Sequence, residues 1–241
     1  MSLQFSDTTN NRGIVQTIDD LCGTDSTSYP LKDKTRDINL ALDRVLALIF
    51  EVGGTWQFDD SNQTDYPIIT TNLVSGQRDY SFTLDANSNL ILEIFRVMVA
   101  DPNGVYQEIS PSNVGEVDVP PNYYSGQNIT GQPSTYQKLG NGILLDPPSN
   151  YNRTAGLKIY VNREGSYFTT SDTTKKPGFA GLFHEYLALR PAYMYCLKKQ
   201  IAKKNDLKND MIEMENAIMN YYKAREKDNP KVIRPLSNRS R

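Results

Sequence analysis

Apolar residues recur at helical spacing near both ends of the chain and at strand spacing through its middle. Ile14, Ile18 and Leu21 lie at i, i+4 and i+7, which predicts a short amphipathic helix closed by Gly23. The residues before it, Met1 to Asn10, are polar and are expected to be mobile. Pro30 opens a longer helix with Asp33 and Asp37 in its early turns, where a carboxylate favours the positive end of the helix dipole. Its apolar stripe is Ile38, Leu42, Val45, Ile49 and Val52, widened by Leu46 and Leu48, and Gly53-Gly54 stops it. So wide a face needs partners on more than one side.

From Trp56 onward the helical period is lost. Asp79 to Leu84 alternates polar and apolar residues, as a half-buried strand does. Ile91 to Ala100 is a longer strand, Asp101-Pro102-Asn103-Gly104 a turn, and Val105 to Ile109 the returning strand of a hairpin. Residues 110–133 are rich in proline and glycine and read as a short helix with a loop or as an extended arm. A second hairpin runs from Tyr136 to Leu139, turns at Gly140-Asn141-Gly142 and returns through Ile143, Leu144 and Leu145. Pro147-Pro148 ends it, and Gly156 to Arg163 is the last strand.

Pro177-Gly178 starts a second helical region, with Phe179, Leu182, Phe183, Tyr186, Leu187 and Leu189 on a broad apolar face. Pro191 sits inside that pattern and is expected to kink it or split it in two. Helix resumes from Ala192 to Lys204, and Asn205-Asp206 is a candidate break. Leu207, Met211, Met214, Ile218 and Tyr221 mark a further helix, ended by Asn229-Pro230. Beyond it the chain has no periodicity and is expected to be extended when free.

The expected fold is therefore α+β. Neither helical end carries enough partners to bury its own stripe, so the two ends should pack together as a helical bundle. That organisation gives a discontinuous helical domain (1–55 and 177–228), an inserted β domain (56–176) forming an antiparallel, barrel-like sheet, and an extended C-terminal tail (229–241).

Composition narrows the function. Hydrophobic residues make up 38% of the chain and tyrosines (15) outnumber phenylalanines (8), which suits surfaces that begin wet and end buried against a partner. The net charge of -2 excludes a globally basic nucleic-acid binder. The sign is unevenly spread, however. Lys223, Arg225, Lys227, Lys231, Arg234, Arg239 and Arg241 crowd the C-terminus, opposed only by Glu226 and Asp228. The N-terminus lacks the basic start and apolar run of a signal peptide, and no apolar run is long enough to span a membrane. Cys22 and Cys196 lack the spacing of a zinc site or a disulfide framework, and read as two small buried or half-buried thiols.

Catalytic constellations do not emerge. The single histidine, His184, shares a helical face with Leu187 and Pro191 and is expected to border the core. Phosphate-binding, dinucleotide-binding, nucleophile-elbow and zinc-protease motifs are missing. Asp59-Asp60 with Asp65 could pair for hydrolysis, but they lie in a polar stretch after Trp56 and read as a solvated loop. No cofactor and no metal is expected, and a structural protein is favoured over an enzyme. Trp56 and the pair Tyr123-Tyr124 leave open a ligand-binding β module, for example one that stacks sugars.

Three stretches carry a resemblance. They are INLALDRVLALIFEVGGTW followed by DYSF, PSTYQKLGNGILLDPPS (Pro133 to Ser149), and GLKIYVNREGSYF followed by KKPGFAGLFHEYLALRPAYMYC. In order and spacing they resemble the head-to-tail adaptor (connector) family of tailed bacteriophages. The resemblance implies a non-enzymatic virion protein in the neck between capsid and tail, assembled in the host cytoplasm. Its copies would form a ring, usually twelve-fold, below the portal protein and above a stopper or tail protein. DNA would pass through the ring's channel without sequence-specific binding. It also implies that the C-terminal segment docks onto the portal. The residues concerned are Lys231, Val232, Ile233, Arg234, Pro235, Leu236, Arg239 and Arg241. Tyr123, Tyr124, Tyr221 and Tyr222 are the candidate interface residues. A stopper or tail-completion protein is the alternative within the same assembly.

Overall fold

The structure is a computed structural model and describes residues 2–52, 68–82, 84, 88, 90–112, 130–139 and 142–225. It is mixed α+β, with four helices and a curled seven-stranded sheet that forms a half-barrel. In chain order the helices are α1 (Ile14–Cys22), α2 (Leu31–Val52), α3 (Tyr186–Lys199) and α4 (Lys204–Arg225). Between α2 and α3 lie β1 (Ile68–Leu73), β2 (Asp79–Ser81), β3 (Ile91–Ala100), β4 (Tyr106–Pro111), β5 (Thr135–Leu139), β6 (Gly142–Asp146) and β7 (Arg153–Arg163).

The buried apolar residues fall into two main clusters. One joins Ile14 and Ile18 of α1, Ile38, Leu42, Val45 and Ile49 of α2, Tyr186 and Leu187 of α3, and Ile218 and Tyr222 of α4. The other lies within the sheet region, including Val97, Val99, Ile143, Leu145, Leu157, Ile159 and Val161. The stripe of α2 is buried as its spacing requires. It is buried against residues more than a hundred positions later in the chain, which explains why so wide an apolar face is tolerated.

Polar contacts tie the same helices. The Glu215 carboxylate of α4 accepts two hydrogen bonds from the Arg44 guanidinium of α2, at 3.3 and 3.1 Å. It also accepts one from the Tyr186 hydroxyl of α3 at 2.5 Å. Burial pushes this carboxyl up, but the bonds from Arg44 and Tyr186 outweigh burial and hold it below the ordinary glutamate value. At the other end, Lys34 of α2 is almost wholly buried and pairs with Asp19 of α1 at 2.5 Å. A buried ammonium without that partner would be costly.

The sheet order is β1-β7-β3-β4-β5-β6-β2. All neighbours are antiparallel except β4 and β5, which run parallel through Ser110↔Thr135 and Pro111↔Tyr136. This corrects the expectation of a purely antiparallel sheet. The two predicted hairpins form, and a long connection between them brings the second beside the first in the same direction. On β3 and β7, Ile94, Val97, Val99, Leu157, Ile159 and Val161 point into the core. Register shifts interrupt the β3–β7 pairing twice and the β1–β7 pairing once, the kind of irregularity that bends a sheet. Gly156 lies where β1 presses on β7. A Cβ there would sit 2.8 Å from the Cβ atoms of both Leu73 and Arg153.

Several local expectations need correction. β1 was not anticipated, because Ile68 to Leu73 follows a polar stretch and carries a pair of threonines in place of strict alternation. Beyond Ser81 the Asp79–Leu84 strand persists only as an isolated bridge, Leu84↔Leu90. Pro191 does not split its helix; α3 runs through it, with the proline buried within the helix. The break after α3 falls at Gln200, which adopts the left-handed conformation (φ 57°) and donates its N–H to the last turn. Asp206, expected near a break, sits in the first turn of α4, where its charge favours the dipole. The turn at 140–141 and the helix stops expected at Gly53-Gly54 and Asn229-Pro230 lie outside the described residues.

Replacing Glu215 with alanine leaves the Tyr186 hydroxyl without its acceptor, while half-exposed Arg44 returns to water. The expected loss is about 1–3 kcal/mol in urea unfolding, against less than ~1 kcal/mol for Arg44→Ala.

Candidate functional site: the helical face and its anchoring segments

Two segments without regular structure complete the helical core. Phe5 is fully buried and stacks on Phe168 with ring centroids 5.2 Å apart. Its N–H donates to the Lys175 carbonyl at 2.7 Å, and the Ser6 N–H donates to the Thr173 carbonyl at 2.9 Å. The Asn39 side chain brackets Phe168, donating to its carbonyl and accepting from its N–H, both at 2.9 Å. Phe5 and Ser6, within the Met1–Asn10 stretch expected to be mobile, are thus fixed against the rest of the protein, while Met1 lies outside the described residues. A single phenylalanine in a polar run has no periodicity to signal burial. The segment before α3 is likewise strapped across α2, the Tyr167 hydroxyl donating to Asp43 at 2.8 Å, and no helix starts at Pro177-Gly178 as the sequence pattern predicts.

His184 is the joint between these segments. It is fully buried and lies just beyond a short 3-10 turn (Gly181–Phe183), ahead of α3 rather than on it. Its Nε2–H donates to the Phe179 carbonyl at 2.9 Å, and its Nδ1 accepts from the Leu3 N–H at 3.1 Å. Burial holds the imidazole below its ordinary value of 6.5, although the carbonyls of Phe179 and Leu3 favour the charged form. Both ring nitrogens are engaged with backbone, so His184 acts as a structural fastener between the N-terminus and the start of the second helical region. It is not positioned to move a proton to or from a bound molecule.

The candidate interface tyrosines separate sharply. Tyr222 is 1% exposed, and its hydroxyl accepts the Ala180 N–H at 3.1 Å. It is consumed by the protein's own core and offers no surface to a partner, which corrects its place among the interface residues. Tyr221 is half-buried and packs edge-on against Phe183 and Tyr222. Tyr123 and Tyr124 lie outside the described residues. So do Trp56, the carboxylates Asp59, Asp60 and Asp65, and the whole of Lys231, Val232, Ile233, Arg234, Pro235, Leu236, Arg239 and Arg241.

The sequence reading missed a different set of surface residues. Leu40 of α2, Leu182 of the 3-10 turn, Met194 and Leu197 of α3 and Ile212 of α4 are exposed, Leu182 to 70%. They resemble core positions in composition and differ only in which way the helix turns them. A cleft of about 330 Å³ lies between the start of α2 and the end of α3. Tyr29 and Tyr195 stack across it, 4.6 Å between centroids. The Tyr29 hydroxyl donates to Asp37 at 2.6 Å, and Arg36 bridges Asp33 and Asp37 at 2.9 Å each. Burial, then the hydrogen bond to Asp37, pushes the Tyr29 phenol well above its ordinary value, so it stays protonated. Besides these groups the cleft is lined by Ser28, whose hydroxyl donates to Asp25 at 2.8 Å, and by Met194, Leu197, Lys198 and Lys199 of α3.

Among the described residues no group of three or more His, Cys, Asp or Glu side chains is arranged to hold a metal ion. No described helix is long and apolar enough to cross a membrane. No family model matches the chain, and no curated protein matches it.

The His184 geometry makes a pH prediction. Because the folded protein disfavours the imidazolium, the unfolded chain binds the proton more readily below about pH 6.5. This residue's contribution to stability is complete above that pH and is lost as the pH falls toward the folded value. As the chain has one histidine, an NMR titration of its ring protons reads the site directly. A midpoint below 6.5 is expected, and a midpoint at or above it would contradict the buried neutral ring.

Proposed function

We propose that the chain is a non-enzymatic structural protein of a tailed-phage virion. In this reading it is a head-to-tail adaptor whose copies form a ring joining capsid to tail around the DNA exit channel. The observation that carries the reading is the threefold sequence resemblance, in the order INLALDRVLALIFEVGGTW, PSTYQKLGNGILLDPPS and KKPGFAGLFHEYLALRPAYMYC. Two features of the fold support it. Both ends of the chain are committed to one apolar core, while exposed Leu40, Leu182, Met194, Leu197 and Ile212 remain on its outside. Exposed apolar residues on several elements suit a subunit with neighbours on two sides. The basic sequence that follows α4 also starts from a fixed point, since Tyr222 pins the last turn of that helix to the Ala180 backbone.

In this proposal the helical part (1–55 and 177–228), packed as a bundle, builds the ring. The β part (56–176) faces outward or toward the tail. Residues 229–241 form the strap that docks onto the portal, its positive charges meeting acidic grooves there. The partners are the portal protein, further copies of the chain in a ring of about twelve, as the resemblance implies, and a stopper or tail protein below. DNA passes without sequence-specific contact.

Electron microscopy of the protein with and without portal rings tests the proposal. A ring of added density beneath the portal is expected. A monomer that adds nothing to the portal would count decisively against the adaptor, and a ring found only on another neck component would favour the stopper reading. Deleting Val232 to Arg241 is expected to leave thermal unfolding unchanged and to abolish co-sedimentation with portal rings.

A further inference from the structure

We propose that Cys22 and Cys196 form an oxidation site, in which an intramolecular disulfide covalently fastens the N-terminal helix α1 to α3. The two residues are far apart in sequence, and the fold brings them together. Cys22 is the last residue of α1, and its thiol lies 3.7 Å from the Ala192 carbonyl of α3. Ala192 is one helical turn before Cys196, and both belong to a small apolar cluster that Cys22, Leu21, Tyr193 and Met214 border. Within α3 the Ala192 carbonyl faces the residue one turn on, so the Cys22 thiol lies against the turn of the helix that carries Cys196. Both cysteines are free.

The asymmetry of burial assigns the roles. Cys196 is fully buried, whereas Cys22 is only half-buried and follows a helix end closed by left-handed Gly23. An oxidant therefore reaches Cys22 first. With hydrogen peroxide as oxidant, the Cys22 thiol gives up its proton and its sulfur attacks one peroxide oxygen. The O–O bond breaks, and the departing hydroxide takes a proton to leave as water. Cys22 is then a sulfenic acid. The Cys196 sulfur attacks it, the S–S bond forms and the S–O bond breaks. The hydroxyl leaves with the Cys196 proton as a second water. Two electrons pass from the thiol pair to the peroxide.

The environment makes this a slow reaction. Burial is the main reason that the Cys22 thiol is pushed up to about 12, with Cys196 and the Asp19 carboxylate adding to it and Lys203 opposing. The Lys203 ammonium is held at the end of α1 by the Leu21 carbonyl, 3.2 Å away. The pair is thus a latch that resists brief exposure to oxidant and closes under sustained exposure. Closing it links positions 22 and 196, and so encloses the entire sheet in one covalent loop.

The test uses the full-length protein treated with excess hydrogen peroxide, then denatured, alkylated with N-ethylmaleimide and measured by intact mass and non-reducing peptide mapping. The expected product is a monomer with neither thiol alkylated, lighter by two hydrogen atoms, with one peptide pair joined through Cys22 and Cys196. Its melting temperature should rise by several degrees, roughly the effect of closing a long loop. Dithiothreitol should reverse both changes. Two alkylatable thiols after prolonged oxidation, a disulfide-linked dimer, or Cys22 oxidised beyond sulfenic acid without a cross-link would each overturn the proposal. Because the wild-type protein supplies the readout, the outcome does not depend on a cysteine variant folding. The result is also independent of whether the chain binds a portal.

Discussion

The two ends of this chain depend on each other's apolar faces. The short helix α1 covers only part of the α2 stripe, and α3 and α4 have too few apolar positions to close a core alone. Their mutual burial, around Ile38, Leu42, Val45, Tyr186, Leu187 and Ile218, is the constraint on which the other features rest. It requires residues before position 52 to meet residues after position 168. The sheet residues between them bury a separate apolar cluster of their own.

The seams of that core are closed by polar groups whose burial is matched to a partner. Glu215 collects Arg44 and Tyr186, Lys34 is neutralised by Asp19, and His184 spans the Leu3 and Phe179 backbones. Each of these joins separate elements, those of Glu215 and of the His184–Leu3 bond distant in sequence, and each would be costly if half-made. They act less as sources of stability than as selectors of one arrangement. An alternative packing of the same apolar faces would strand a buried charge or an imidazole.

The proposed role in a virion neck draws on this architecture. A subunit of a ring has to be rigid where it meets its neighbours and able to present a segment elsewhere. The helical core supplies rigidity up to Tyr222, and the basic sequence follows directly. The outward Leu40 of α2, Met194 and Leu197 of α3, Ile212 of α4 and Leu182 of the 3-10 turn supply apolar surface for neighbours in that reading.

Much of the fold was legible from residue spacing. The 3.6-residue period placed α1 and α2, alternation and Asn-Gly or Asp-Pro turns placed the two hairpins, and Gly23 marked the end of α1. The absence of grouped histidines and motif glycines was equally a property of the sequence. Spacing failed where burial is decided by something far away. Phe5 looked like an isolated residue in a polar run, Tyr222 like a surface tyrosine, Pro191 like a helix breaker, and Cys22 and Cys196 like unrelated thiols. Local pattern reports which residues share a face. It carries no information on what a face meets, and contacts between positions 5 and 168, 180 and 222, or 22 and 192 exist only once the chain has closed its core.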